Sequence, residues 1–195
     1  CLVGSEMCIR DRANILHLRL DLDLVMIIME EDNSLLVPGE EPKGRFVAVS
    51  TTMGDEYRQN LIRSVKEMDM QDVLSLSKTY MQNVETDTVK LFHDSRVEFD
   101  FPSVIILPVN QQEERLGTLI VAKNKENAFM DGRAFYESIA SQLSIGISNA
   151  KLYEKMNDMA IRDGLTRIYN RRHLNECLNE YLSEAMVKKL PVTLA

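Results

Sequence analysis

An α+β domain built on one mainly antiparallel sheet is the fold class this chain predicts, and three features predict it. The run Leu24-Val25-Met26-Ile27-Ile28-Met29 is continuously apolar, as a strand covered on both faces would be. The runs Ser103 to Pro108 and Leu116 to Ala122 are joined through the polar residues Asn110 to Arg115, the spacing of a hairpin. Phe135, Ile139, Leu143 and Ile147 then recur at steps of four, the mark of a long amphipathic helix.

The remaining elements fall between these. Leu35-Leu36-Val37 follows the first run across the polar group Glu30 to Ser34, which suggests a second strand and a hairpin turn. Pro38 to Gly44 is a loop by composition, and Phe46 to Val49 resumes a strand. Leu61, Ile62, Val65 and Met68 trace one face of a helix, with Asp55 placed to cap it. Val73, Leu74, Tyr80, Met81 and Val84 give a second helical pattern, weakened by Ser75, Ser77 and Thr79. A short strand is expected at Val89 to Phe92, and the long helix should run from Asp131 to about Ile161.

Charge and cysteine content narrow the partners. The stretch Cys1 to Arg12 resembles one translated frame of a transposon adapter used in sequencing libraries, so native sequence is expected to begin near Ala13. Setting that stretch aside removes Glu6, Asp11, Arg10 and Arg12 and leaves the net charge at -7. So acidic a chain, with no basic run longer than Arg171-Arg172 or Lys188-Lys189, argues against nucleic acid as a partner. Cys177 is then the remaining thiol, which fits a reduced, cytoplasmic protein with no disulfide and no structural metal. The longest apolar run, Leu24 to Met29, is far short of the about 20 residues that span a bilayer.

Two seams are expected on the long helix. Phe135, Ile139, Leu143, Ile147 and Ala150 form the stripe expected to pack on the sheet. Ile145, Asn149, Leu152, Met156 and Met159 alternate steps of four and three, the a and d positions of a heptad. That seam predicts pairing of two copies into a parallel homodimer, with Asn149 fixing register. The competing reading is a solvated helix whose methionines cover the domain.

The strand Leu116-Gly117-Thr118-Leu119-Ile120-Val121-Ala122, then Phe129, then the helix from Ser141 that ends in Asn149-Ala150-Lys151-Leu152-Tyr153, resembles in that order the closing half of a GAF domain. The resemblance covers residues 13–153 and implies a sensor with a small ligand between sheet and helices. No particular ligand is implied. His93 beside Asp94 reads as a surface residue in preference to a haem ligand, and no cysteine lies between Ala13 and Asn170 to hold a bilin. Asn124-Lys125 followed by Phe129 and Asp131 matches the cyclic-nucleotide-binding pattern of this family too loosely to outweigh a solvated loop. Met26, Met29, Met53, Met68, Met70 and Met81 suit either an adaptable pocket or plain core packing.

Past the signalling helix, assigned to residues 145–162, the most specific motif in the chain appears. Asp163-Gly164-Leu165-Thr166-Arg167-Ile168-Tyr169-Asn170-Arg171-Arg172-His173-Leu174 matches the opening of GGDEF diguanylate cyclase domains at every defining position. Gly164 should break the arriving helix and act as a hinge, since Gly resists a helix interior by about 1 kcal/mol relative to Ala. Asn170 should cap the next helix, whose inward stripe would be Leu174, Leu178, Leu182 and Met186. Arg171 and Arg172 oppose that helix's dipole. The resemblance implies that Asp163 pairs with one of these arginines and ties linker to domain.

By the same resemblance the whole protein would join two GTP molecules into cyclic di-GMP with Mg²⁺ at the reacting phosphates. The metal-binding acids and the Gly-Gly turn that define that site do not occur here, and no Gly-Gly pair exists in the chain. The 33 residues from Asp163 to Ala195 also fall below the about 40 at which a domain folds unaided. The expectation is a sensory piece of a cyclase without catalytic, cofactor or metal residues of its own. A degenerate GGDEF protein that binds GTP or cyclic di-GMP, or a GAF dimerisation module with no ligand, are the alternatives.

Overall fold

The computed structural model describes residues 3–29, 44–67, 71–83, 99–189 and 191. The elements in chain order are α1 (Val3–Arg19), β1 (Leu24–Met29), β2 (Phe46–Thr51), α2 (Asp55–Glu67), α3 (Gln71–Leu74), β3 (Tyr80–Gln82), β4 (Ser103–Gln111), β5 (Glu114–Lys123), α4 (Arg133–Ile161) and α5 (Arg171–Lys188). By internal contacts the chain divides into two compact units, Cys1–Ala150 and Lys151–Ala195. Among the described residues no helix is long and apolar enough to cross a membrane.

The sheet has the order β2-β1-β5-β4-β3, and every pairing is antiparallel. All six residues of β1 are buried because both faces of the sheet are covered, which is what the unbroken apolar run demands. Alternation along the strands divides the core in two. Val25, Ile27, Ile105, Leu107, Leu119 and Val121 point to the face that packs against Ala13 of α1 and Leu143 and Ile147 of α4. Met26, Ile28, Ile106 and Ile120 point to the other, against Leu61 and Val65 of α2 and Val73 of α3. Each fully buried aliphatic side chain contributes about 1.5–3 kcal/mol.

The β4–β5 hairpin is longer and tighter than its sequence suggested. Its strands extend to Gln111 and Glu114, so Asn110 to Arg115 is mostly ladder, and Gln112 turns the chain at φ 53. Pairing jumps from Val109↔Gly117 to Asn110↔Arg115, which leaves Leu116 as an inserted bulge residue. The bulge puts Leu116 in the same core as Leu119 instead of on the opposite face. Gly117 beside it lets the backbone approach β1 closely: a Cβ there would fall well inside contact distance of the Ile28 carbonyl oxygen and 3.1 Å from Met29 Cγ.

Other expectations need correction. The second helical pattern is the single turn α3 followed by strand β3, in which Tyr80 and Met81 pair with Ile106 and Ile105. Backbone bonds to β4 outweigh a helical propensity already weakened by Ser75, Ser77 and Thr79. Asp55 opens α2 from inside the helix, and its carboxylate accepts from the Arg58 guanidinium. Strand β1 pairs antiparallel with β2 on one side and β5 on the other; Leu35 to Val37 lies outside the described residues, as do Met68, Met70, Val84, Val89 to Phe92 and His93. Met26 and Met29 are core, Met81 packs against it, and Met53 is exposed. Residues 3–12, part of the adapter-like stretch, lie in α1 with Ile9 buried against the sheet.

Candidate functional site

Helix α4 buries one apolar row against the sheet and leaves another exposed. Ala140, Leu143 and Ile147 are buried and Ile139 packs against them. Phe135 departs from the expected stripe and is 53% exposed. Its place is taken by Tyr136, one helical step on, which meets Phe129 edge to face at a 5.1 Å centroid distance and so seals the start of the helix. Burial also pushes the Tyr136 hydroxyl pKa upward.

The second seam stays in solvent. Ile145, Leu152, Met156 and Met159 are all large, apolar and between 48% and 70% exposed, and Asn149 among them is exposed too. Their steps of four and three place them along one narrow line of the helix.

Where α4 ends, the motif from Asp163 to Arg172 folds into a joint closed by its own side chains. The backbone of Asn170 donates to the Ile161 carbonyl at 2.8 Å, and its Nδ2 donates to the Ala160 carbonyl at 2.8 Å. Two carbonyls left open by the end of α4 are thereby satisfied. The Asn170 Oδ1 in turn accepts from the His173 amide at 2.9 Å and caps α5, as expected. One carboxamide thus closes one helix and opens the next. Arg162 braces the same turn: it donates to Asp158 at 2.7 Å and to the Arg167 carbonyl at 3.0 Å, and its guanidinium lies 5.0 Å over the Tyr169 ring.

The inferred role of Asp163 is different in the structure. Its Oδ1 accepts from the Leu165 amide at 3.2 Å, the Thr166 amide at 3.0 Å and the Thr166 hydroxyl at 2.9 Å, rather than from an arginine. An Asp at this place in a tight turn is closer to backbone donors two and three residues on than to any side chain beyond the turn. Arg172 is instead 3.4 Å from Glu176 one helical turn away, an exposed pair worth about 0–1 kcal/mol. Gly164 is not a conformational requirement: its φ is ordinary and a Cβ would meet open space. The left-handed residue of the turn is Arg167, at φ 63.

These donors hold the Asp163 carboxyl below the usual aspartate range, with the Thr166 amide the largest cause. A depressed folded value means that the turn gains stability above the unfolded pKa and loses it as pH falls through the folded one. The Thr166 and Leu165 amide resonances should therefore titrate together with a midpoint below that of a free aspartate. A midpoint in the ordinary range would contradict the three-donor arrangement.

Helix α5 has no buried residue among those described, and Leu174, Leu182 and Met186 are 54%, 36% and 78% exposed. Leu178, the remaining member of the stripe, is half-buried. On the sheet face that would hold a sensor ligand, α2 and α3 pack onto the apolar side chains, and the polar groups are already engaged: Arg115 donates to buried Thr118 at 3.0 Å and to the Leu76 carbonyl at 2.6 Å. The bond to Leu76, 39 residues earlier in the chain, cannot be read from sequence spacing. Asn124 and Lys125 serve the fold, the amide of Asn124 donating to Asp23 and the carbonyl of Lys125 accepting from Ser103, while Phe129 is core. Among the described residues no group of three or more His, Cys, Asp or Glu is placed to hold a metal ion.

No protein-family model and no curated protein matches the chain. Solved structures do match its fold. The GAF domain of a phosphoenolpyruvate-protein phosphotransferase from Coxiella burnetii is 16% identical with a TM-score of 0.58, over 78% of this chain and 87% of that one. The second GAF domain of DevS from Mycobacterium smegmatis is 12% identical with a TM-score of 0.53, over 78% and 99%. A free methionine-R-sulfoxide reductase from Neisseria meningitidis, solved with its substrate, is 9% identical with a TM-score of 0.52, over 77% and 81%. A fold shared by signalling domains and an enzyme does not choose between them. At such identities the likeness establishes one thing, that this chain carries the GAF fold.

Proposed function

We propose that the chain is the sensory and transmitting part of a diguanylate cyclase, in which ligand or dimer state at the GAF-fold domain is relayed along α4 to a GGDEF output domain beginning at Asp163. The observation that carries this reading is the joint itself. The motif matches the GGDEF opening at each defining position, and its Asn170 bonds simultaneously to the end of α4 and the start of α5. A movement of α4 would reach α5 through those bonds rather than be lost in a slack linker. The exposed seam Ile145, Asn149, Leu152, Met156 and Met159 supports pairing of two copies. Pairing suits the chemistry, because two GTP-bearing domains must face each other for each ribose hydroxyl to reach the other's α-phosphate.

GTP and Mg²⁺ are cofactors of the longer protein, and none is assigned to the residues of this chain. Incubated with GTP and Mg²⁺, the 195-residue chain should yield no cyclic di-GMP, whereas the protein extended along its source DNA through a Gly-Gly turn should yield it. Product from the chain alone would overturn the assignment of catalysis to residues outside it. A folded extended protein that binds GTP and makes no product would favour the degenerate, ligand-binding alternative.

A further inference from the structure

The groove between strand β2 and helix α2 collects positive charge in a chain whose net charge is -7. It holds about 420 Å³, and Arg45, Arg58, Gln59, Ile62 and Lys66 line it, with no carboxylate among the described residues of its lining. Arg45 leads into β2 and is anchored there by a 2.8 Å bond from Nη1 to the Val65 carbonyl. Arg58, Ile62 and Lys66 share one face of α2 at steps of four, so the two cations stand about 12 Å apart along the helix with an apolar floor between them. Arg10 also reaches the groove, from α1 rather than from the face of α2 that carries Arg58 and Lys66.

We propose that this groove is a binding site for a linear polyphosphate group, the moiety carried by nucleoside di- and triphosphates. Cations arranged along a line favour an extended polyanion over a compact one, because each phosphate can meet its own donor. A single phosphate reaches one end of the groove. A base adds little, since the one aromatic side chain among the described lining residues, Phe46, is 8% exposed and offers no ring face for stacking. Arg58 already turns toward Asp55 at the rim, so an arriving anion competes with that carboxylate.

Calorimetric titration of the full chain at fixed ionic strength, without divalent cation, tests the site. Tripolyphosphate should bind more tightly than pyrophosphate and pyrophosphate more tightly than phosphate, with ATP within about threefold of tripolyphosphate. Arg58→Gln and Lys66→Gln, both surface changes, should each weaken tripolyphosphate about tenfold, the loss of one charge-assisted bond. Asp55→Asn should tighten it about threefold by releasing Arg58, a gain that a merely destabilised fold would not give. Arg10→Gln should leave binding within about threefold. No saturable binding, binding indifferent to both cation variants, binding of ATP without tripolyphosphate, or loss in Arg10→Gln alone would each overturn the proposal.

Discussion

Gly117→Ala is expected to lower the thermal midpoint by about 10 °C, a loss on the order of 3 kcal/mol. Moving the flexible Met29 side chain, whose Cγ is 3.1 Å from the added methyl, does not make room for that methyl. It meets the Ile28 carbonyl oxygen, a backbone atom of β1, at a rung where β5 pairs Thr118 with Ile28 and a bulge already distorts the partner side. Relief requires β5 to move away from β1, which costs ladder bonds in the middle of the sheet. Against a typical domain stability of about 5–15 kcal/mol the change is large. Gly164→Ala is the control, because its Cβ meets open space at an ordinary φ, and a shift within about 0.5 kcal/mol is expected there. Thermal unfolding of the two variants side by side checks both, and equal midpoints would refute the close approach at Gly117.

The second large effect concerns association rather than folding. Leu152 and Met156 are 58% and 59% exposed in one copy, so Leu152→Glu with Met156→Glu should leave the fold within about 0.5 kcal/mol of the original. In a paired seam the same change places four carboxylates where four apolar side chains met. Loss of that burial, at about 1.5–3 kcal/mol a side chain, should raise the dimer dissociation constant at least about 100-fold. Sedimentation equilibrium should then show dimer for the original chain and monomer for the variant. Asn149→Leu should do the reverse and tighten the dimer, since a buried Asn at an a position trades stability for register.

Much of this fold could be read from spacing, and the misreadings share a cause. An unbroken apolar run, a pair of β-rich runs and a four-residue period each report burial directly, and β1, the β4–β5 hairpin and α4 follow from them. Phe135 and Tyr136 are adjacent aromatics, and a period alone cannot say which faces the core when one helical step separates them. The region of α3 and β3 does not read as a strand because β3 exists through its partner, and Ile106 and Ile105 lie 26 and 24 residues beyond the Tyr80 and Met81 they pair with. The bulge at Leu116 is likewise a property of a pair of strands.

The candidate site divides the same way. Asn170 was legible because capping is local, as was the exposed seam, since both depend on residues a few positions apart. The engagement of Asp163 with Thr166 is also local, yet the family resemblance pointed past it to an arginine. The cationic groove was invisible in sequence because Arg45 and Lys66 come together only when β2 and α2 pack.

Relay of a signal by α4 through a paired seam into an output domain is tested most directly by the cyclic di-GMP formed from GTP by the extended protein, with and without the Leu152→Glu and Met156→Glu changes. The seam variant should fold, become monomeric and fall to background synthesis, because its two GTP sites no longer meet. Synthesis at the original rate by a monomeric seam variant would contradict it.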